Sequence, residues 1–162
     1  FWAAFCGLPR RSGLIPLFGD PLSRRGGVSS RTIEELYRRV LPTLLNSINQ
    51  NAIFQQDNAP VHTAYIVRDA LNELECEIME WPPYSPDLNP IENLWPLLKA
   101  EILKRYPDLM HLPNTTSTLE LLVKAAQEAW DTLDTEIFKH LSETMPHRVA
   151  DVIKYVGWHT SY

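Results

Sequence analysis

Cysteine is scarce in this 162-residue chain, and its scarcity excludes two classes of protein. Cys6 and Cys76 lie far apart and lack the close spacing of metal ligands. Two thiols cannot staple a small disulfide scaffold, so both are expected to be reduced, partly buried and intracellular. Also lacking is any apolar run near the ~20 residues that a membrane helix needs. No signal-peptide pattern opens the chain, and no internal repeat or low-complexity segment interrupts it. An initiating methionine is missing too: the first residues are "FWAAFC", which read as the inside of a strand. The expectation is therefore a fragment of a longer protein.

What is present fits one ordinary domain. A chain of this length buries roughly 70% of its unfolded surface. Hydrophobic residues at 44% and charged residues at 22% are usual for a soluble globular protein. The net charge of −5 conceals an asymmetry. Arg10, Arg11, Arg24, Arg25, Arg31, Arg38 and Arg39 face only Asp20, Glu34 and Glu35 in the first forty residues, and the remainder is strongly acidic. An acidic protein binds nucleic acid poorly without specificity, because phosphate contacts dominate that affinity. A basic lobe beside an acidic site can still hold a phosphate backbone; a solvated charged surface explains the same residues.

Periodicity gives the elements. The runs 1–6 and 13–19 read as two strands of a hairpin, with Pro16 marking the second as an edge. From Thr32, Ile33, Leu36, Tyr37, Val40, Leu41, Leu44, Leu45 and Ile48 keep helical spacing, with Pro42 as a candidate kink. "NAIFQQD" (51–57) reads as a buried strand. A helix over about 60–74 follows, turning Val61, Ala64, Tyr65, Leu71 and Leu74 inward. "CEIMEW" (76–81) is a further strand, and a helix over about 90–105 follows a proline-rich stretch. Ser117 and Glu120 have capping-box spacing, Asp134 can cap "TEIFKHL", and Pro146 opens a last helix. Strand, strand, helix, strand, helix, strand, helix and a helical tail point to a mixed α/β sheet.

Two acids fall where such folds place chemistry. Asp57 ends a strand expected to be parallel, the end at which α/β sheets bind ligands. Glu92 lies in the first turn of a helix two elements later, with 34 residues between the two. Carboxylates brought close repel unless a cation sits between them, and hard oxygens suit Mg²⁺ or Mn²⁺. Simpler readings compete. Asp57 can close an Asx turn. Asn89, Pro90 and Glu92 form good helix-start grammar, and local rules alone favour that role for Glu92. With Ile91 as origin, Leu94, Trp95, Leu98 and Ile102 form the core face, while Glu92 and Lys99 fall on its flank at about 100° and 80°.

The residues themselves are familiar. "FQQDNAPVHTA" followed by "WPPYSPDLNPIENLWPLLKAEI" resembles the catalytic domain of mariner-type transposases, in the DDE/DDD superfamily. "FWAAFCG", "SGLIPLFG" and "MPHRVADVIKYVGWHTSY" resemble the family's flanking strands and C-terminal end. The resemblance implies a ribonuclease-H-like mixed sheet with flanking helices over 1–108 and a helical extension over 109–162. It implies three carboxylates holding two Mg²⁺ or Mn²⁺ ions, DNA as partner, DNA cleavage and strand transfer, and a homodimer on DNA. By motif, Asp57 matches the second catalytic Asp and Glu92 the third acid. His62 and Asn58 then become candidates to orient Asp57 or touch substrate, Asn89 and Lys99 to support Glu92, and Arg24 and Arg25 to touch DNA. A eukaryotic host would place the protein in the nucleus.

Two departures qualify this expectation. The family's first Asp lies on a strand ahead of "FWAAFC", which this chain lacks, so the fragment is expected to be inactive. Asp20 is a poor substitute, because it lies two strand steps, ~10 Å, from the missing position. Pro96 removes an amide inside the expected catalytic helix and would clash with the Glu92 carbonyl. Pro96 and the truncated start favour a second reading: a transposase relic acting as a nucleic-acid-binding or protein-interaction domain. Asp87 is expected to brace the proline loop, and Trp81 and Trp95 to join the core.

Overall fold

The structure is a computed structural model and describes residues 1–7, 10–23, 26–48, 52–80 and 85–155. The chain divides into two compact units: Phe1–Pro16 with Pro86–Tyr162, and Leu17–Ser85.

In the first unit, β1 (Phe5–Cys6) pairs antiparallel with β2 (Arg10–Arg11), and Trp2 bridges Ile15 further along. The expected hairpin forms, but β2 begins inside the stretch read as its linker. The register explains this. From Trp2 to Phe5 is three steps, while Ile15 back to Arg11 is four, so the second strand carries one extra residue, a bulge. Ser12 fills the irregularity. Its amide donates to the Ala4 carbonyl, and its hydroxyl accepts from the Ala4 amide at 2.9 Å.

Four helices complete this unit: α4 (Leu94–Arg105), α5 (Thr116–Thr132), α6 (Thr135–Glu143) and α7 (Met145–Lys154). α4 packs on α5, whose Ala125, Ala126 and Ala129 are fully buried and permit close approach. Leu94 and Leu98 of α4 cluster with Ala126, Ala129, Trp130 and Phe138, and Ile91, Trp95 and Ile102 pack around the cluster, as the wheel predicts. The Trp130 indole N–H donates to the Ser12 carbonyl at 2.9 Å, and Gln127 donates to that of Leu14 at 3.1 Å. Side chains of α5 thus satisfy two carbonyls of the bulged strand. Asp134 caps α6 as expected, but the cap of α5 lies two residues before the expected one, with Thr115 accepting from the Thr118 amide.

The second unit is built on α1 (Ser30–Ser47), which Ser29 caps and which runs through Pro42. α1 buries Ile33, Leu36, Tyr37 and Leu41 and packs on α3 (Tyr65–Glu73), which buries Val67, Ala70 and Leu71. The expected single helix over 60–74 is two: α2 (Pro60–Thr63) ends at Ala64, whose ψ of 147° is extended. The break resets the helical phase, so Tyr65 is 81% exposed rather than inward. Phe54 and Ile78 form a parallel bridge, with Phe54 bonded to both Glu77 and Met79. The expected β-α-β pairing is present, but at one residue pair among the described residues. Upstream, Gly19 must be glycine: a Cβ there would stand 2.0 Å from the Gly26 carbonyl.

No helix among the described residues is long and apolar enough to cross a membrane.

Candidate active-site carboxylates and their supports

Asp57 and Glu92 stand in different units, each held by its own local chemistry. Asp57 follows the Phe54 bridge, and its Oδ1 accepts from the Ala59 amide at 3.1 Å, which is the Asx turn that local rules predict. That turn delivers Pro60 to the start of α2. The Asp57 side chain is 56% exposed, so the same carboxylate remains open to solvent.

His62, one turn into α2, is not a surface residue. Its side chain is only 16% exposed, and Nε2 lies 3.5 Å from Asp57 Oδ1. Its Nδ1 is 2.8 Å from the Tyr37 hydroxyl, with the two rings stacked at 6.1 Å. Tyr37 is fully buried and donates its hydroxyl proton to Gln56 Oε1 at 2.8 Å. With that single proton committed, the bond between Tyr37 and His62 is donated by Nδ1–H, and Nε2 faces Asp57. Burial holds the His62 pKa below its ordinary value, and the charge of Asp57 partly opposes this. Gln56, Tyr37, His62 and Asp57 form one chain of contacts. Asn58 is the intervening residue of the Asx turn.

Glu92 lies on a ribbon of two 3₁₀ turns, Pro86–Leu88 and Pro90–Asn93. Asn89 caps the second turn, with Oδ1 accepting from Ile91 N at 3.4 Å, and the Glu92 amide donates to the Asn89 carbonyl at 3.0 Å. The helix-start grammar is therefore real, but it opens a 3₁₀ turn. α4 itself begins at Leu94, which removes the difficulty expected of Pro96. Pro96 is the third residue of α4, in the first turn, where amides lack intrahelical partners. Because Pro96 has no amide to bond back to Glu92, the chain enters α4 through the tighter turn instead. Glu92 and Lys99 are both exposed.

Sequence reasoning missed Arg148. This residue of α7 is 1% exposed, and its guanidinium donates through Nη2 to Asn93 Oδ1 at 2.7 Å, through Nη1 to the Asp87 carbonyl, and through Nε to Thr144 Oγ1 at 2.8 Å. Tyr37 was read only as a core residue of α1. The remaining acids behave as their turns require. Asp20 accepts from Ser29 Oγ at 2.6 Å and from the Leu22 amide at 2.8 Å, and these bonds hold its pKa below the ordinary value. Asp87 opens the first 3₁₀ turn. Trp95 packs against the core and stacks on Trp130 at 6.3 Å, and both cysteines are free. Arg24, Arg25 and Trp81 lie outside the described residues. Among the described residues no three His, Cys, Asp or Glu side chains group as a metal-binding cluster.

Comparison with known proteins decides the family. Residues 25–112 match the family described as DDE superfamily endonuclease, a segment that contains both acids. The chain belongs to the DDE superfamily of endonucleases. Its relatives are Tc1/mariner transposases. The Tc1 transposase of Caenorhabditis elegans is 31% identical over 144 residues, which cover 88% of this chain and 50% of the relative. This DDE chain spans about half the length of the curated relatives it matches. The solved catalytic domain of the mariner Mos1 transposase (Drosophila mauritiana) with Raltegravir and Mg superposes with a TM-score of 0.58 at 24% identity, covering 83% of this chain and 66% of that one. A Mos1 paired-end complex with left transposon end gives 0.60 at 22%, covering 85% and 39%. At these identities the likeness carries the fold alone, the ribonuclease-H-like fold of the Mos1 catalytic domain. Among the described residues that fold is helix-rich, with one two-stranded sheet.

Proposed function

We propose that this chain is a transposase catalytic domain that cuts a DNA strand and transfers the freed end, with Asp57 and Glu92 as two of its metal-holding acids. The observation that carries the reading is the pair itself. Both acids fall inside the DDE-matching segment, both are exposed, and each sits on a turn fixed by specific hydrogen bonds. Two hard carboxylates are the right donor chemistry for Mg²⁺ or Mn²⁺, and a third acid completes the set. The resemblance puts that acid on a strand ahead of Phe1, and 109–162 is read as a helical extension of the same domain. Bound divalent ions would supply charge stabilisation to the oxygens entering and leaving phosphorus.

The chain's own residues do the positioning. The Asx turn fixes Asp57, and His62 limits its rotation on one side. Asn89 starts the turn that carries Glu92. Asn58 and Lys99 are the candidates to meet substrate or support the acids, and Arg24 and Arg25, which lie outside the described residues, are the sequence's candidates to meet the DNA backbone. Transposon ends and target DNA are the proposed partners, bound by a homodimer, and in a eukaryotic host the work is nuclear. The Mos1 structures, solved with Mg, with Mn and with a transposon end, support metal and DNA as ligands. The competing relic reading drew on Pro96 and on the missing upstream strand; with Pro96 in the first turn of α4, only the second of these supports it.

The test is Mg²⁺-dependent cleavage of transposon ends by the parent protein carrying the upstream strand. Asp57→Ala and Glu92→Ala are each expected to abolish cleavage while leaving the fold intact. A folded parent protein that binds transposon ends without cutting them would sink the reading.

A further inference from the structure

We propose that Arg148 is a positioning residue for Glu92, so that α7, far along the chain, is part of the strand-cutting machinery. This rests on the catalytic reading of Glu92 given above. Arginine is almost never fully buried unless its charge has partners, and Arg148 is 1% exposed. Its donors are distributed with a purpose that core packing does not require. Of the three bonds described, one goes to Thr144 at the cap of α7 itself. The other two leave the helix and grip the Glu92 ribbon at both ends, the Asp87 carbonyl before it and the Asn93 side chain after it.

Between those anchors lie Leu88 and Pro90, both buried, and Glu92, exposed. The ribbon is therefore pinned at two points and packed at two more, with Glu92 on its exposed side. It needs such help, because 3₁₀ turns have poor hydrogen-bond geometry and hold few bonds of their own. Here the described bonds are Asn89 to Pro86, Glu92 to Asn89 and Leu94 to Ile91. A planar guanidinium can serve two acceptors at fixed separation, which a lysine ammonium on its flexible stem does not. Loss of ~1 Å in the placement of a catalytic group can cost roughly a hundredfold in rate.

The experiment compares amide hydrogen exchange and cleavage in Asn93→Ala, Asn93→Asp and Arg148→Lys. In the 162-residue chain, Asn93→Ala and Arg148→Lys are expected to speed exchange at residues 89, 91 and 92 by roughly tenfold or more, with Leu98, Ala126 and Trp130 unchanged. Asn93→Asp, which keeps an acceptor for Arg148, is expected to restore protection. In the parent protein Asn93→Ala and Arg148→Lys are expected to lower the cleavage rate at saturating DNA by at least roughly tenfold with DNA affinity unchanged. Uniform acceleration across the core would reduce Arg148 to a general stabiliser and overturn the proposal. Local loosening with an unchanged cleavage rate would overturn it as well. A folded wild-type parent that never cuts defeats the catalytic role of Glu92 and this role with it, and is told apart because it needs no variant.

Discussion

The surroundings of Asp57 and of Glu92 reach the same end by different means. Asp57 sits on a four-residue device, an Asx turn opening α2, and its brace is aromatic: His62 stacked on Tyr37, with Gln56 behind. Glu92 sits on a 3₁₀ ribbon braced by one buried cation from α7. The Asp57 brace is a largely buried imidazole whose pKa burial lowers and the Asp57 charge partly restores, and its Nε2 lies 3.5 Å from the carboxylate. The Glu92 brace is charged and acts through Asp87 and Asn93. An acid whose own carboxylate closes an Asx turn has one neighbouring ring beside it. One on a ribbon poor in its own bonds needs both ends fastened.

That contrast can be broken at several points. The largest structural effect is expected at Trp130, where the bulged strand, α5 and α6 meet in the unit that carries Glu92. Trp130→Ala should cost about 3–5 kcal/mol of stability, read by urea unfolding. A cost below about 1 kcal/mol would mean the core is misassigned. On the Asp57 side, Tyr37→Phe keeps the ring and removes the hydroxyl that joins Gln56 to His62. About 1–2 kcal/mol should be lost by denaturant unfolding, together with the single Nδ1–H tautomer of His62 seen by imidazole ¹⁵N shifts. An unchanged tautomer would remove Tyr37 from the brace.

Pro96→Ala should change stability by less than about 1 kcal/mol, because the missing amide lies in a first turn. A gain of several kcal/mol, measured by thermal unfolding, would restore the view that Pro96 strains α4. The smallest effect concerns acid. The Asp20 carboxylate accepts from Ser29 and Leu22, so its folded pKa lies below its ordinary 3.8. Its contribution is complete above that value and is lost as pH falls through the lower folded value. Asp20→Asn should therefore lower stability slightly at neutral pH, leave it nearly unchanged at the acid end and so flatten the fall in between; an unaltered pH slope would refute the assignment.

Local rules were good guides where the determinants are local. α1, the Asp134 cap, the core face of α4 and the Asn89 start all follow from spacing and capping chemistry. They failed where a distant partner decides. The break at Ala64 lets Pro60 open its own short helix while α3 packs on α1, and no residue near Ala64 announces it. The Ser12 bulge is legible only once Ala4 is opposite it. In α7 the apolar residues mislead outright: Val149 and Ile153 are exposed while Arg148 is buried, because its acceptors lie 55 and 61 residues away. For the acids, spacing and motif nominated Asp57 and Glu92, and neither could show what holds them.

The most direct test of the central claim is Mn²⁺ titration of the 162-residue chain followed by amide NMR line widths. If Asp57 and Glu92 both hold divalent metal, the amides of Asn58 and Glu92 should broaden at the lowest Mn²⁺ concentrations. Asp57→Asn or Glu92→Gln should then abolish the effect at the altered position. Broadening confined to other acidic segments, or unchanged by either substitution, would contradict the account.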